Sequence, residues 1–414
     1  MIFSFLSTRK IKEDHVVMDK DLSDSDYRHT NVMKRPILVF WFDAPPRAGA
    51  GAFKVVSERW GSDVHYFCEN NLREERKTGG WREANHGKAK ITILSKLSNP
   101  EEFLMKFENK SPNAIHIFNG FRSKTSKYLD VYINYAKEPR IAIWSERPGI
   151  YGSKAIRVAK KLFHPIIHRM YYLKYSKKIK ALIPLGKSGV EEFSKYGWNR
   201  NMMFSFMYDP PMTCISSKIV KWEKDKPIKL LYVGRFARST KGIDILINSI
   251  NNLQSDNWKL SLVGGYGEYK DFTINWANSH KNVDFLGAWA SDQVTEKISS
   301  YDLVIVPSRF DGWNVVVNEA LRAGVGVIVS NEAVSNELIE ASKAGMVVIS
   351  GDVRDLTEAI SSVLNKPEVV NTWKEIAKNY SSRITSEVVG SYLIEILDYI
   401  FIDNSKNRPI CPWQ

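Results

Sequence analysis

Six consecutive apolar residues, "ILVFWF", run from Ile37 to Phe42 and stop at the turn "DAPP". A short unbroken apolar run closed by a turn is the pattern of a strand buried on both faces of a parallel sheet. The pattern recurs at "VHYFCE" (64–69), "AKITIL" (89–94), "AIHIFNG" (114–120), "RIAIWSE" (140–146) and "KALIPLG" (180–186). Helix-like segments such as "GAFKVVSERWG" and "SGVEEFSKYG" lie between them. This alternation predicts a doubly wound α/β layer. The two prolines of "MYDPPM" (207–212) and the polar bridge "KWEKDKPIK" (221–229) break the rhythm, which then restarts. "KLLYVG" (229–234), a helix over "KGIDILINSINN", "WKLSLVGG" (258–265), "NVDFLG" (282–287), "SYDLVIVPS" (300–308), "GVGVIVS" (324–330) and "AGMVVIS" (344–350) predict a second layer of similar size.

The expected organisation follows. Residues 1–35 are polar and mixed in charge and read as a poorly ordered lead-in. Residues 36–212 are expected to form an N-terminal Rossmann-like domain, and 213–385 a C-terminal one. An amphipathic helix over 386–402, with the tail to 414, is expected to pack back on the first domain. In such sheets ligands bind outside the carboxyl ends of the strands, so two facing layers would hold a small molecule between them.

Composition changes little in this picture and charge changes more. The 414 residues are 43% hydrophobic and 25% charged, as in globular proteins. No apolar run reaches the roughly 18 residues that span a bilayer, and "MIFSFLSTRKIKEDHVV" lacks the core and cleavage pattern of a secretory signal. Cys68, Cys214 and Cys411 are scattered, without metal-ligand spacing, which fits a reducing cytoplasm. The net charge of +13 is uneven: residues 1–210 hold 37 Lys and Arg against 22 Asp and Glu, residues 211–414 hold 22 against 24. The first half therefore expects an anionic partner. Its extreme is 153–180, "SKAIRVAKKLFHPIIHRMYYLKYSKKIK", with nine cations, no acid and interleaved Phe163, Ile166, Ile167, Met170, Tyr171 and Tyr172. Two readings stand: a segment lying on the anionic inner face of a membrane, or a core-packing helix with a solvated basic face. Nucleic acid is not expected, since no nucleic-acid-binding motif accompanies the charge.

The candidate chemistry sits at strand ends. After "LLYVG", which ends at Gly234, come Arg235 and Lys241 beside a helix start. Two cations there suit a diphosphate; the alternative is that Arg235, Arg238 and Lys241 are solvated loop charges. Gly264, Gly265 and Gly267 follow another strand and fit either close approach to a ligand or a tight turn. In "SRFDGWNVVVNEALRAG", Asp311 lies in a loop and Glu319 in a helix eight positions on, a span of roughly 12 Å if fully helical. A carboxylate at each end could meet a sugar and the two hydroxyls of a ribose. Otherwise Glu319 faces solvent.

The ordered set "VGRF…KG", "LVGGYGE", "VDFLG" and "YDLVIVPSRFDGWNVVVNEALRAGVGVIVS", over about 228–350, resembles the C-terminal domain of family 4 retaining glycosyltransferases of the GT-B fold. The resemblance implies metal-independent, retaining transfer from a nucleotide-diphosphate sugar, with no cofactor. It implies that Arg235 and Lys241 bind the diphosphate, Glu319 the ribose, and Asp311 stands at the donor sugar. Gly234, Gly264, Gly312, Trp313 and Asn314 would line the donor pocket. Gly49 and Gly51 of "PPRAGAGAF" match a glycine loop facing the donor phosphates. Where the family has Gly-Phe-Gly, this chain has Gly312, Trp313 and Asn314, which leaves the sugar open. His116, Asn119, Glu146 and Arg147 are the acceptor-side candidates, Glu146 standing where many members have a histidine; a Glu146–Arg147 surface pair or a helix cap is the alternative. The acceptor expected is a glycan, lipid-linked as in lipopolysaccharide, O-antigen or capsule assembly. A GT-B epimerase or phosphorylase, and a non-catalytic nucleotide-sugar-binding module, are the competing readings.

Overall fold

The computed structural model describes residues 35–71, 80–211 and 219–414. The polar stretch 1–34, the junction expected at 212 and 213, and Cys214 lie outside them. In the first domain the strands are β1 (Leu38–Phe42), β2 (Val64–Cys68), β3 (Lys90–Ile93), β4 (Ile115–Asn119), β5 (Ile141–Ser145) and β6 (Ile179–Pro184). Its helices are α1 (Ala50–Arg59), α2 (Pro100–Lys110), α3 (Lys127–Tyr135), α4 (Lys154–Tyr175) and α5 (Gly186–Lys195). The second domain has β7 (Ile228–Val233), β8 (Trp258–Val263), β9 (Val283–Phe285), β10 (Leu303–Val306), β11 (Gly326–Ser330) and β12 (Gly345–Val348). Between and after them come α6 (Arg238–Lys241), α7 (Ile243–Asn251), α8 (Lys270–Asn278), α9 (Val294–Ile298), α10 (Val315–Arg322), α11 (Asn336–Ser342), α12 (Val353–Asn365), α13 (Val369–Ser381) and α14 (Ser386–Phe401).

The sheet orders are β3-β2-β1-β4-β5-β6 and β12-β11-β10-β7-β8-β9, which are the same order once each sheet is numbered from its first strand and the second is read in reverse. Neighbouring strands are parallel, as in β1 with β4 and β7 with β10. Both sheets therefore reverse direction of winding at one point, between β1 and β4 and between β7 and β10. Crevices open there at the strands' carboxyl ends. The unbroken apolar runs are explained by burial on both faces: all five residues of β1 and of β11 are buried.

The chain crosses back at its end. Helix α14 packs on α1, and Gly390 makes the approach possible, since a Cβ there would lie 2.6 Å from Val55 Cβ and 2.9 Å from the Ala52 carbonyl. Arg35 clamps Asp398 of α14 with two hydrogen bonds of 2.9 and 2.7 Å. Beneath this crossing the buried Arg322 of α10 pairs with the buried Asp209 and also donates to the Ile384 carbonyl. The pair ties the second domain to both crossing segments, and both charges are withdrawn from water. Such a pair holds register, since separating its partners would strand a charge in an apolar medium.

Candidate active site

In the first domain the crevice is a cavity of about 970 Å³ lined by, among others, Asp43, Gly49, Asn119, Glu146 and Arg147, with Phe310 of the second domain closing it. Asn119 is the last residue of β4 and so stands at the switch point itself. Gly49 precedes α1 and lines the same space.

In the second domain Gly234 follows β7, and Arg235 lies just beyond it, with no acidic partner among the described residues. The helix expected over 241–252 is split. A single turn, α6, ends at Lys241, Gly242 takes φ of 65°, and α7 begins at Ile243. Gly242 is required because a Cβ would collide with the Pro307 carbonyl. The split turns Lys241 onto Asp311, and Lys241 Nζ and Asp311 Oδ2 form an ion pair with side chains 20% and 15% exposed. Asp311 is fixed in turn by its backbone, which donates to the Glu332 carbonyl at 3.1 Å, and by an Oδ1 that accepts from Trp313 N at 3.4 Å. Of the other cations near this loop, Arg309 is committed to Asp244 through two contacts and Arg238 approaches the same carboxylate at 3.3 Å.

Glu146 faces the donor loop from across the cleft. Tyr208 donates its hydroxyl to Glu146 Oε1 at 2.7 Å, and a Cβ at Gly312 would collide with Oε2. Gly312 is therefore a glycine so that the two domains can close on this carboxylate. A chain of contacts supports it: Trp313 Nε1 donates to Asn318 at 2.8 Å, and Asn318 donates to the Tyr208 carbonyl at 3.0 Å. Arg147 lines the same cavity and is already engaged. It crosses to the second domain, donating to the Glu332 carbonyl at 2.9 Å and pairing with its carboxylate, and lies over the Phe310 ring at 5.1 Å.

Glu319 is 6% exposed, so the solvent-facing alternative does not hold. Because α10 starts only at Val315, Asp311 and Glu319 are separated by a loop and one helical turn rather than two turns. Burial pushes the Glu319 carboxyl up to about 8, against the pull of Arg47 and Arg322. Its folded-state proton affinity thus exceeds the unfolded one. The resulting stability is complete below about 4.5 and is lost as pH rises through about 8. Glu319→Gln should remove this slope, raising stability relative to the wild type by a few kcal/mol above about pH 8, each tenfold difference in proton affinity being ~1.4 kcal/mol. Glu337 and Glu108, also pushed up to about 7 by burial, keep their own contributions in both proteins. Thermal melts across pH test this; parallel wild-type and variant curves would mean that Glu319 is ionised and held by the two arginines.

Several residues singled out from sequence lie elsewhere. His116 is fully buried on the far side of β4, accepts from Trp41 Nε1 at 3.0 Å, stacks on Tyr132, and is held down to about 3 by burial, so it is a core histidine. Gly51 packs α1 against the crossing, where a Cβ would collide with Asp209 and Ser386. Gly264 serves the tight-turn alternative, since a Cβ would meet the Gly234 carbonyl. Trp313 is buried in the core rather than in the donor pocket. Asn314 has φ of 76° and caps α10 through its side chain, an asparagine doing what a glycine's backbone freedom allows. Arg47, Tyr208 and Phe310 also take part in the site, although the sequence did not single them out. Only Arg47 carried a signal there, by standing inside "PPRAGAGAF".

With the strand ends, the glycines and the charged pair in place, the likeness to known proteins can be assigned. Residues 216–380 match the family of glycosyl transferases group 1. The resemblance seen in the motifs of 228–350 thus holds for the second domain. An uncharacterised glycosyltransferase of Methanocaldococcus jannaschii is 26% identical over 160 residues, 38% of this chain and 44% of that protein. The match thus spans less than half of that relative's length. A capsular polysaccharide biosynthesis glycosyltransferase of Staphylococcus aureus is 25% identical over 301 residues, 69% of this chain and 71% of that protein. The crystal structure of Anabaena HepE in complex with UDP superposes with a TM-score of 0.65 at 15% identity, covering 87% of this chain and 99% of HepE. The architecture is GT-B, with two Rossmann-like domains.

Proposed function

We propose that the protein transfers a sugar, with retention, from a nucleotide-diphosphate sugar to a lipid-linked glycan in the assembly of a lipopolysaccharide, O-antigen or capsule. The observation that carries this reading is the Lys241–Asp311 pair at the β7–β10 switch point, with Arg235 beside it and Glu146 facing the same loop across the cleft. When the bond from the anomeric carbon to the diphosphate breaks, its electron pair goes to the diphosphate. The acceptor hydroxyl supplies the new oxygen, and its proton passes to the departing diphosphate oxygen. Arg235 and Lys241 neutralise the charge that grows on the leaving group, so no metal is required. Asp311 holds the donor sugar, Glu319 the ribose, and Asn119 and Glu146 the acceptor side. The UDP bound to HepE and the capsule role named for the Staphylococcus relative support a nucleotide-sugar donor and a polysaccharide product.

Helix α4 supports the membrane part. No helix among the described residues is long and apolar enough to cross a membrane. Yet Leu162, Phe163, Ile166, Met170 and Leu173 of α4 are between 56% and 66% exposed. At 3.6 residues per turn they share one stripe, bordered by the exposed Arg169 and Lys174. A helix with an apolar outer stripe and basic margins suits an anionic bilayer surface. The opposite face, with Tyr171, Tyr172 and Tyr175, packs on the core, so the membrane reading rests on the outer stripe alone.

Thermal stabilisation by a panel of UDP-, GDP- and ADP-sugars tests the donor assignment. One nucleotide sugar should stabilise by about 2.7 kcal/mol at a hundred times its Kd, and EDTA should leave turnover unchanged. Indifference to every member of the panel, or turnover that EDTA abolishes and a divalent cation restores, would overturn the reading.

A further inference from the structure

The face of α4 opposite the apolar stripe holds His164, His168, Tyr171 and Tyr175. His164 and His168 are only 7% and 6% exposed, and their rings are 6.0 Å apart. His168 stacks on Tyr196 at 5.0 Å and meets Tyr171 and Phe193 edge-on. The Nδ1 atoms of both histidines are buried without a hydrogen-bond partner. His116 Nε2 is in the same condition, so what sets this pair apart is its position on a cavity wall.

Both imidazoles line the 970 Å³ cavity, together with Lys160 one turn earlier and with Arg122 and Ser123 from the loop after β4. Arg122 is exposed and has no acidic partner among the described residues. Among the described residues Lys160 touches neutral groups, the Tyr151 carbonyl at 3.1 Å and the Tyr151 ring at 3.6 Å. Burial lowers the proton affinity of His164, and Arg122 and Lys160 lower it further. Burial, His164 and Arg122 hold His168 down to about 4. Glu192 of α5 opposes both shifts, but it is already engaged by the Tyr196 hydroxyl at 2.5 Å and by Lys195 at 3.0 Å. The cluster therefore presents positive potential and unused donors to the cavity.

We propose that Arg122, Lys160, His164 and His168 form an anion subsite that takes the phosphate or diphosphate of the acceptor. The same cavity continues to Glu146 and Phe310 at the donor loop, so an acceptor anchored by its phosphate has its sugar in front of Asp311. Helix α4 then has two jobs on opposite faces: it meets lipid outside and the anionic group of a lipid-borne acceptor inside. This rests on the acceptor side of the function proposed above, and it names the chemistry that side recognises.

Calorimetric titration of the full chain with inorganic pyrophosphate, with the donor site filled by the nucleotide that stabilises the protein most, tests the subsite. The double variant Arg122→Gln and Lys160→Gln should bind pyrophosphate at least about tenfold more weakly, the scale of lost charge-assisted contacts, and keep its nucleotide affinity. Arg235→Gln with Lys241→Gln should do the reverse, which separates failure of the subsite from failure of the donor reading. His164→Gln, which keeps a polar side chain of similar reach, should also weaken pyrophosphate. Imidazole nitrogen spectra of the wild type should show both histidines gaining proton affinity as pyrophosphate is added. An alkyl diphosphate in phosphatidylcholine vesicles that binds tighter than pyrophosphate supports a lipid-borne phosphate, and equal affinity supports a soluble phosphorylated acceptor. Pyrophosphate affinity unchanged in both the double variant and His164→Gln, with histidine titrations unmoved, would overturn the subsite.

Discussion

Lys241→Ala is expected to lower turnover on the donor by roughly two to three orders of magnitude, the scale of removing one group that stabilises a developing anion. The loss has two parts. The diphosphate loses a cation as it leaves, and Asp311, which Lys241 now holds, becomes an uncompensated negative charge beside it. The partner substitution separates them. Asp311→Asn frees Lys241 and removes a like charge, so the free nucleotide should bind tighter by about 1 kcal/mol, as for opposite charges about 4 Å apart in a well-solvated site. Its turnover should still fall, because the sugar has lost its anchor. The double variant should be no slower than Lys241→Ala alone, since the two groups act together. Calorimetry with the nucleoside diphosphate and steady-state kinetics with the nucleotide sugar read these quantities apart. Asp311→Asn with weaker nucleotide affinity and unchanged turnover would remove both residues from the roles proposed.

The second large effect concerns the outer stripe of α4. Leu162→Gln, Phe163→Gln and Ile166→Gln together should release the protein from anionic vesicles by roughly two to four orders of magnitude in partitioning. Full burial of such side chains contributes roughly 1.5–3 kcal/mol each, and these are only partly free, so about 1–2 kcal/mol each is available. The fold should survive, because residues 56% to 63% exposed contribute little to the core. Replacing Lys161, Lys177 and Lys178 by Gln should act differently. Each contributes about 1 kcal/mol near an anionic bilayer, and salt screens it over about 8–10 Å. The charge variant and high salt should therefore resemble each other, while the apolar variant stays detached at any salt. Nucleotide affinity should be intact in both. Co-sedimentation with phosphatidylglycerol-containing and pure phosphatidylcholine vesicles distinguishes these outcomes. Equal sedimentation of wild type and apolar variant at low salt would leave the stripe for a protein partner or a second copy.

The central strands were legible in sequence because strands inside a parallel sheet are buried on both faces, and unbroken apolar runs such as "ILVFWF" record that burial directly, whereas the edge strands β3, β9 and β12 are partly exposed and were marked by their place in the alternation. The donor loop was legible for a related reason: a strand end followed by glycine and charge marks a carboxyl-end crevice wherever the fold is doubly wound. Fine placement was not. His116 was the histidine singled out, but it points into an aromatic core, while His164 and His168, which the sequence did not mark, line a cavity. One residue's difference in strand register, or the rotation of a helix, decides which. The same holds for α4, whose periodicity predicts an amphipathic helix without saying which face is inside. The polar contacts of Glu146 with Tyr208 and its fit against Gly312 join residues far apart in the chain, as does Lys241 with Asp311. Periodicity reports how one segment meets an average environment. Which side chain meets which is set by close approaches, between two loops of the second domain at Gly242 and between the two domains at Gly312, which the sequence around these glycines does not display.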